Sequence, residues 1–70
     1  MDEASAVKVV RRLQRTGLLT HRREELGLSQ RQIAEAVKVS QPTVSDWEAV
    51  KSKPRGRHAV ALLEVLEIEP

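Results

Sequence analysis

Seventy residues make one domain's worth of chain, and a domain of that size buries only about 60% of the surface its unfolded form exposes. Hydrophobic residues are 40% of the chain but include a single aromatic, Trp47, and no Phe, Tyr or Cys. The core must therefore be built from Leu, Val, Ile and Ala, and disulfides, thiolate metal sites and a cysteine nucleophile are excluded. A net charge of +2 is too small to name a partner by itself.

The first residues are acidic and never apolar for more than two in a row, unlike a signal peptide. No apolar run approaches the roughly 20 residues of a membrane span, so a cytoplasmic location is expected. A first helix is predicted from about Glu3 to Gln14, capped by Asp2, with Ala6, Val9, Val10 and Leu13 inward at i, i+3, i+4 and i+7. Thr16-Gly17 ends it. A second helix runs from about Leu18 to Leu26, turns Leu19, Arg23 and Leu26 inward and stops at Gly27. Ser29 caps a third, with Gln32 completing a capping box and Ile33, Ala34 and Val37 forming its stripe. Lys38-Val39-Ser40 is a tight turn in which Val39 plugs the gap between stripes. Ser40 caps the fourth helix, Pro42 sits in its first turn, where the missing N–H costs nothing, and Val44 and Trp47 face inward. Lys51 to Arg57 is a basic connector with Pro54 and Gly56 as breakers. The last helix, about His58 to Leu66, carries Ala59, Leu62, Leu63 and Leu66 on one face.

No segment alternates at period two for long enough to be a strand. The expected fold class is all-α, a compact bundle of about five short helices. Residues 1–16 are expected to be an extra N-terminal helix, and 17–70 a domain with its motif at 29–48.

Residues 29–48 are two short helices crossing at a tight turn, with small Ala34 at the close approach and a polar outer face on the second helix. A helix-turn-helix that enters a DNA major groove needs this pattern. Lys8, Arg11, Arg12 and Arg15 form one basic cluster and Lys51, Lys53, Arg55 and Arg57 another, while acids gather at the ends: Asp2, Glu3, Glu64, Glu67 and Glu69. Such separation suits one face turned to phosphate. His21 and His58 lack a third His or any Cys, so both read as surface residues and no metal site is expected. Ser45, Asp46 and His58 have the residue types of a hydrolase triad, but the Ser and Asp are adjacent on one helix with no nucleophile elbow. Neither an enzyme, a cofactor nor a small-molecule effector is expected.

From about Leu18 to Ile68 the chain resembles the lambda repressor/Cro-like (xenobiotic-response-element type) helix-turn-helix domains. The matching residues are Arg23-x-x-x-Gly27-Leu28-Ser29-Gln30, Ile33-Ala34, Thr43-Val44-Ser45-x-Trp47-Glu48, Lys51-x-Lys53-Pro54 and Leu62-Leu63-x-x-Leu66. The resemblance implies a sequence-specific double-stranded DNA-binding transcriptional regulator of the phage repressor or Cro type, with a recognition helix at 41–49. Gln41, Pro42, Ser45 and Asp46 would face bases. Gln30, Arg31, Thr43, Lys51, Lys53 and Arg55 would meet phosphates, Gln30 also bracing Gln41. Arg23 and Glu48 would form a structural ion pair. A homodimer on an inverted repeat is the family's expectation.

The sequence departs from the family pattern at four places. Lys38 stands in the turn where glycine is common. Ala49-Val50 replaces the usual polar-then-Gly ending, which predicts a recognition helix running about a turn longer. The chain stops at Pro70, where a fifth family helix would start, and the helix near residues 3–14 is extra and expected to cover the bare surface. An alternative of another class is an antitoxin or adaptor of the same fold, docking a partner through Val7, Val9, Val10 and Leu13. A third is the DNA-binding part of a longer repressor.

Overall fold

Five helices follow one another in the computed structural model, which describes residues 2–69: α1 (Glu3–Thr16), α2 (Leu18–Glu25), α3 (Gln30–Val37), α4 (Gln41–Glu48) and α5 (Gly56–Val65). Strands are absent among the described residues, and the all-α bundle expected from the periodicity is the fold. Residues 1 and 70, the outer limits of the expected domains, lie outside the described residues.

Local chemistry sets the starts. Asp2 accepts from the Ser5 backbone at 2.8 Å and from its hydroxyl at 3.0 Å. In the capping box of α3, Ser29 Oγ accepts from the Gln32 backbone at 3.0 Å while Gln32 Oε1 accepts from the Ser29 backbone at 2.8 Å. Ser40 accepts from the Thr43 backbone at 3.3 Å to open α4, with Pro42 in its first turn. The α1–α2 junction is one residue: Gly17, at φ +78°, ends the first helix and begins the second.

The core holds Ala6, Val10, Leu19, Ile33, Ala34, Val37, Val44, Trp47, Ala59, Leu62, Leu63 and Leu66. α1 packs along α5 and α2, and α3 packs on α4 and α5. The extra helix therefore shares one core with the rest of the chain.

Four expectations need correction. α1 continues past Gln14 to Thr16, whose hydroxyl bonds back to the Arg12 carbonyl at 2.8 Å. Its buried strip is Ala6, Val10 and Gln14, with Val9 and Leu13 only half-buried. A glutamine can occupy that strip because its Nε2 donates to the Trp47 carbonyl at 3.0 Å and the Ser52 carbonyl at 2.9 Å. Third, α4 does not run a turn longer. It ends at Glu48, Ala49 closes it, and Val50 takes the left-handed position at φ +59°. The backbone bonds Lys51 N to Asp46 O (2.8 Å) and Val50 N to Trp47 O (3.2 Å) form the six-to-one and five-to-two pair that normally goes with glycine there. Capturing those carbonyls outweighs the strain in a β-branched residue. Fourth, α5 begins at Gly56 rather than His58. Gly56 is no breaker; a Cβ on it would lie 2.6 Å from Glu3 Cβ, so its smallness lets the two N-termini meet.

Lys38 adopts the left-handed conformation its position requires, at φ +68°. No helix among the described residues is long and apolar enough to cross a membrane.

Candidate nucleic-acid interface

Because Ser40 caps α4 and Val44 and Trp47 are buried beneath it, the helix turns Gln41, Pro42, Ser45 and Asp46 to solvent. Gln41, Pro42 and Ser45, at i, i+1 and i+4, line one hollow together with Gln30 from the start of α3. Four of the residues predicted for the site thus converge on one surface. Asp46 is exposed on the same helix outside that hollow. An amide at Gln41 offers a donor and an acceptor side by side, the pattern that matches an adenine edge.

Gln30 does not brace Gln41 by a hydrogen bond; its Nε2 donates to Glu48 Oε1 at 3.1 Å. The amide belongs to a cluster centred on Glu48, which also accepts from Thr20 Oγ1 at 3.0 Å, Arg23 Nε at 2.7 Å and Arg23 Nη2 at 3.2 Å. The Arg23 and Glu48 side chains are only 15% and 9% exposed. Burial alone would raise the Glu48 carboxyl, but the hydrogen bonds from Arg23, Gln30 and Thr20 more than offset it and hold the group below its ordinary value. The hydrogen bonding that Arg23 donates to Glu48 in turn raises its guanidinium despite partial burial. Arg23 Nη1 further donates to the Leu28 carbonyl at 2.9 Å. The cluster ties α2, α3 and α4 together and fixes the angle at which the outer face of α4 is presented.

A second hollow adjoins α4. It is lined by Thr43, Trp47 and the connector residues Ser52, Lys53, Pro54 and Arg55, with Arg57 and His58 at the start of α5. Lys51, Lys53 and Arg55 are exposed, while Pro54 is buried and pins the connector. Thr43 Oγ1 lies 2.7 Å from Ser40 Oγ, so this hydroxyl is partly committed to the cap. Arg31 stands apart, paired with Glu35 at 3.3 Å on the exposed side of α3; so open a pair holds an arginine only weakly. Trp47 is buried and meets His58 at a ring-centroid distance of 6.1 Å.

The sequence reading put Arg57 in the second basic cluster but not among the phosphate contacts, and read His58 as ordinary surface. Placing the start of the last helix two residues late left Arg57 in the connector, whereas both residues lie on the first turn of α5 and line the cationic hollow. Gln14 and Thr20 were likewise missed. A polar residue spaced four from Val10 and eight from Ala6 was the available signal for Gln14.

A family described as helix-turn-helix matches residues 19–70. The chain belongs to that family, with the fold of the lambda repressor and Cro-like domains. It is similar to the HTH-type transcriptional regulator DicA of Escherichia coli (strain K12), being 40% identical over 52 residues. The similarity covers 74% of this chain and 38% of that protein, so the chain spans well under half the length of its relative. No solved structure is a significant match. α1, through Thr16, precedes the matched region.

Proposed function

We propose that the chain binds double-stranded DNA with sequence preference and acts in the cytoplasm as a transcriptional regulator of the phage repressor or Cro type. The observation carrying this reading is the solvent-facing, capped face of α4, with Gln41, Pro42 and Ser45 beside Gln30 and a cationic connector alongside. α4 lies in the major groove, Gln41 reading an adenine in bidentate fashion, Pro42 touching a thymine methyl and Ser45 bonding to a base edge. Asp46 accepts from a cytosine N4. Gln30, Thr43, Lys51, Lys53 and Arg55 contact phosphate, and Arg31 joins them by releasing Glu35. Arg23 and Glu48 stay outside the interface as architecture. The similarity to a relative named as a transcriptional regulator supports the same reading.

One such module reads about 4–5 base pairs, so useful specificity calls for two copies on half-sites about one DNA turn apart, a homodimer on an inverted repeat. The reading assigns the chain no catalysis, metal or cofactor. Docking of a protein partner through α1 has lost its motive, since Val7, Val9 and Leu13 pack against the core and Val10 is buried in it.

The test is selection from a random duplex library with the wild type and Gln41→Ala. An enriched short motif that Gln41→Ala relaxes at one base position supports the proposal. Enrichment of no motif by the wild type refutes sequence-specific regulation.

A further inference from the structure

The outer face of α1 takes no part in the interface described above. Lys8, Arg11, Arg12 and Arg15 fall at i, i+3, i+4 and i+7, one stripe along the helix, and all four are exposed. The stripe lies opposite Ala6, Val10 and Gln14, by which α1 is held in the core. Three arginines elsewhere are paired, Arg22 with Glu25, Arg23 with Glu48 and Arg31 with Glu35, whereas among the described residues Lys38 and the connector cations Lys51, Lys53, Arg55 and Arg57 form no ion pair. Among the described residues, none of the four on α1 has an ion-pair partner. Asp2, at the start of the helix, serves as its cap.

Like charges at these spacings repel along a helix. Packing does not require them, because any polar side chains would serve on that face. The position of the stripe adds a second observation. The two hydrogen bonds of Gln14 hold the last turn of α1 against the end of α4 and the start of the connector, where Lys51 and Lys53 are exposed, and Arg15 follows Gln14 directly in the chain. From Lys8 to Arg15 the stripe extends about 10 Å along the helix axis, the rise of about three base pairs. Three of its four members are arginines, whose forked guanidinium suits phosphate oxygens.

We propose that this stripe is a second phosphate-binding face, occupied by the duplex flanking the half-site that α4 reads. The proposal rests on the DNA-binding reading above and lengthens its footprint. The four cations carry no sequence information; they fix the orientation of the domain on the duplex and add to affinity.

The experiment compares the wild type with the variant Lys8→Gln/Arg11→Gln/Arg12→Gln/Arg15→Gln, after thermal melts establish that the variant is folded. The probes are the selected motif as a bare 14-bp duplex and within a 30-bp duplex, with phosphate-ethylation interference read on the longer one. Should the quadruple variant fail to fold, Lys8→Gln/Arg12→Gln and Arg11→Gln/Arg15→Gln carry the same readouts in halves. The wild type is expected to bind the longer duplex more tightly and to show flanking phosphates whose ethylation weakens binding. In the variant the advantage of length disappears, the flanking interference is lost, and the log–log salt slope becomes shallower by about 0.9 for each contact removed. An identical interference pattern for both proteins overturns the inference, even if the variant binds more weakly, because a weaker field without lost contacts is only a change of net charge. If the wild type binds no duplex at all, the reading under Proposed function fails and takes this one with it.

Discussion

Replacing Glu48 by glutamine isolates what the buried cluster contributes. The carboxylate receives four donors on two oxygens, three on Oε1 and Arg23 Nε on Oε2 at 2.7 Å. A glutamine that keeps the oxygen facing Thr20 and Gln30 turns its NH2 toward Arg23 Nε, donor against donor. One charge-assisted bond worth about 1.5–3 kcal/mol is lost. Arg23, at 15% side-chain exposure, loses its counter-charge. Removing one partner of a buried pair costs about 3–5 kcal/mol; the remaining exposure and the retained bond to the Leu28 carbonyl reduce this to about 2–4 kcal/mol. For a domain this small that is a drop of about 10–30 °C in melting temperature.

The pH dependence has a definite sign. Glu48 is held below its ordinary value of 4.5 when folded, so its stabilisation is present above the unfolded value and is lost as pH falls through the folded one. Urea denaturation followed by circular dichroism between pH 3 and 7 is the assay. The wild type should lose stability below about pH 4.5, and Glu48→Gln should be less stable at pH 7 with a flatter acid limb. A variant within about 0.5 kcal/mol of the wild type at pH 7, or an unchanged acid limb, would refute the reasoning.

Five further substitutions probe the backbone and the helix junctions, each read by thermal or urea denaturation. Val50→Gly should stabilise by about 0.5–1 kcal/mol, since relief of the left-handed strain exceeds the added freedom of the unfolded chain and the modest loss from a side chain that is 52% exposed; Gly27→Ala, at φ +70°, should destabilise by about 1 kcal/mol. Gly56→Ala should destabilise by about 1–3 kcal/mol despite alanine's better helix propensity, because the new Cβ meets Glu3 Cβ at 2.6 Å; Glu3→Gly should recover part of that loss in a double-mutant cycle. Gln14→Ala should cost about 2–3 kcal/mol, leaving the Ser52 carbonyl without its bond and a cavity beside Trp47.

What the sequence made legible follows from how local each signal is. Caps and apolar spacing act within one turn, so Asp2, Ser29 and Ser40 marked helix starts, and Ile33, Ala34, Val44 and Trp47 marked the crossing of α3 and α4. Gln41, Pro42 and Ser45 were identifiable as an outward face by subtraction from that stripe, and the hollow they share with Gln30 follows from the short turn. The rest depended on partners distant in sequence. Gly56 reads as a breaker until Glu3, more than fifty residues away, is known to lie against it. Gln14 reads as surface until the carbonyls of Trp47 and Ser52 appear within reach. Val50 reads as helix-compatible, yet the carbonyls at the end of α4 still require a left-handed residue to close them, and the connector supplies no glycine in that place. Gln30 was expected to brace Gln41, but the carboxylate of Glu48 is the stronger acceptor for its amide.

Base reading by α4 is the central feature of the proposed function. Its most direct test is the affinity of the wild type for the selected duplex and for a scrambled duplex of equal length, each titrated at 50 and 200 mM salt. About four to six phosphate contacts predict a fall of roughly 10²–10³-fold in affinity over that range on both duplexes. Base reading predicts that the selected sequence stays about 10³-fold or more tighter at either salt. Equal affinity for the two duplexes, with the same salt dependence, would contradict it, leaving a domain that holds phosphate and reads nothing.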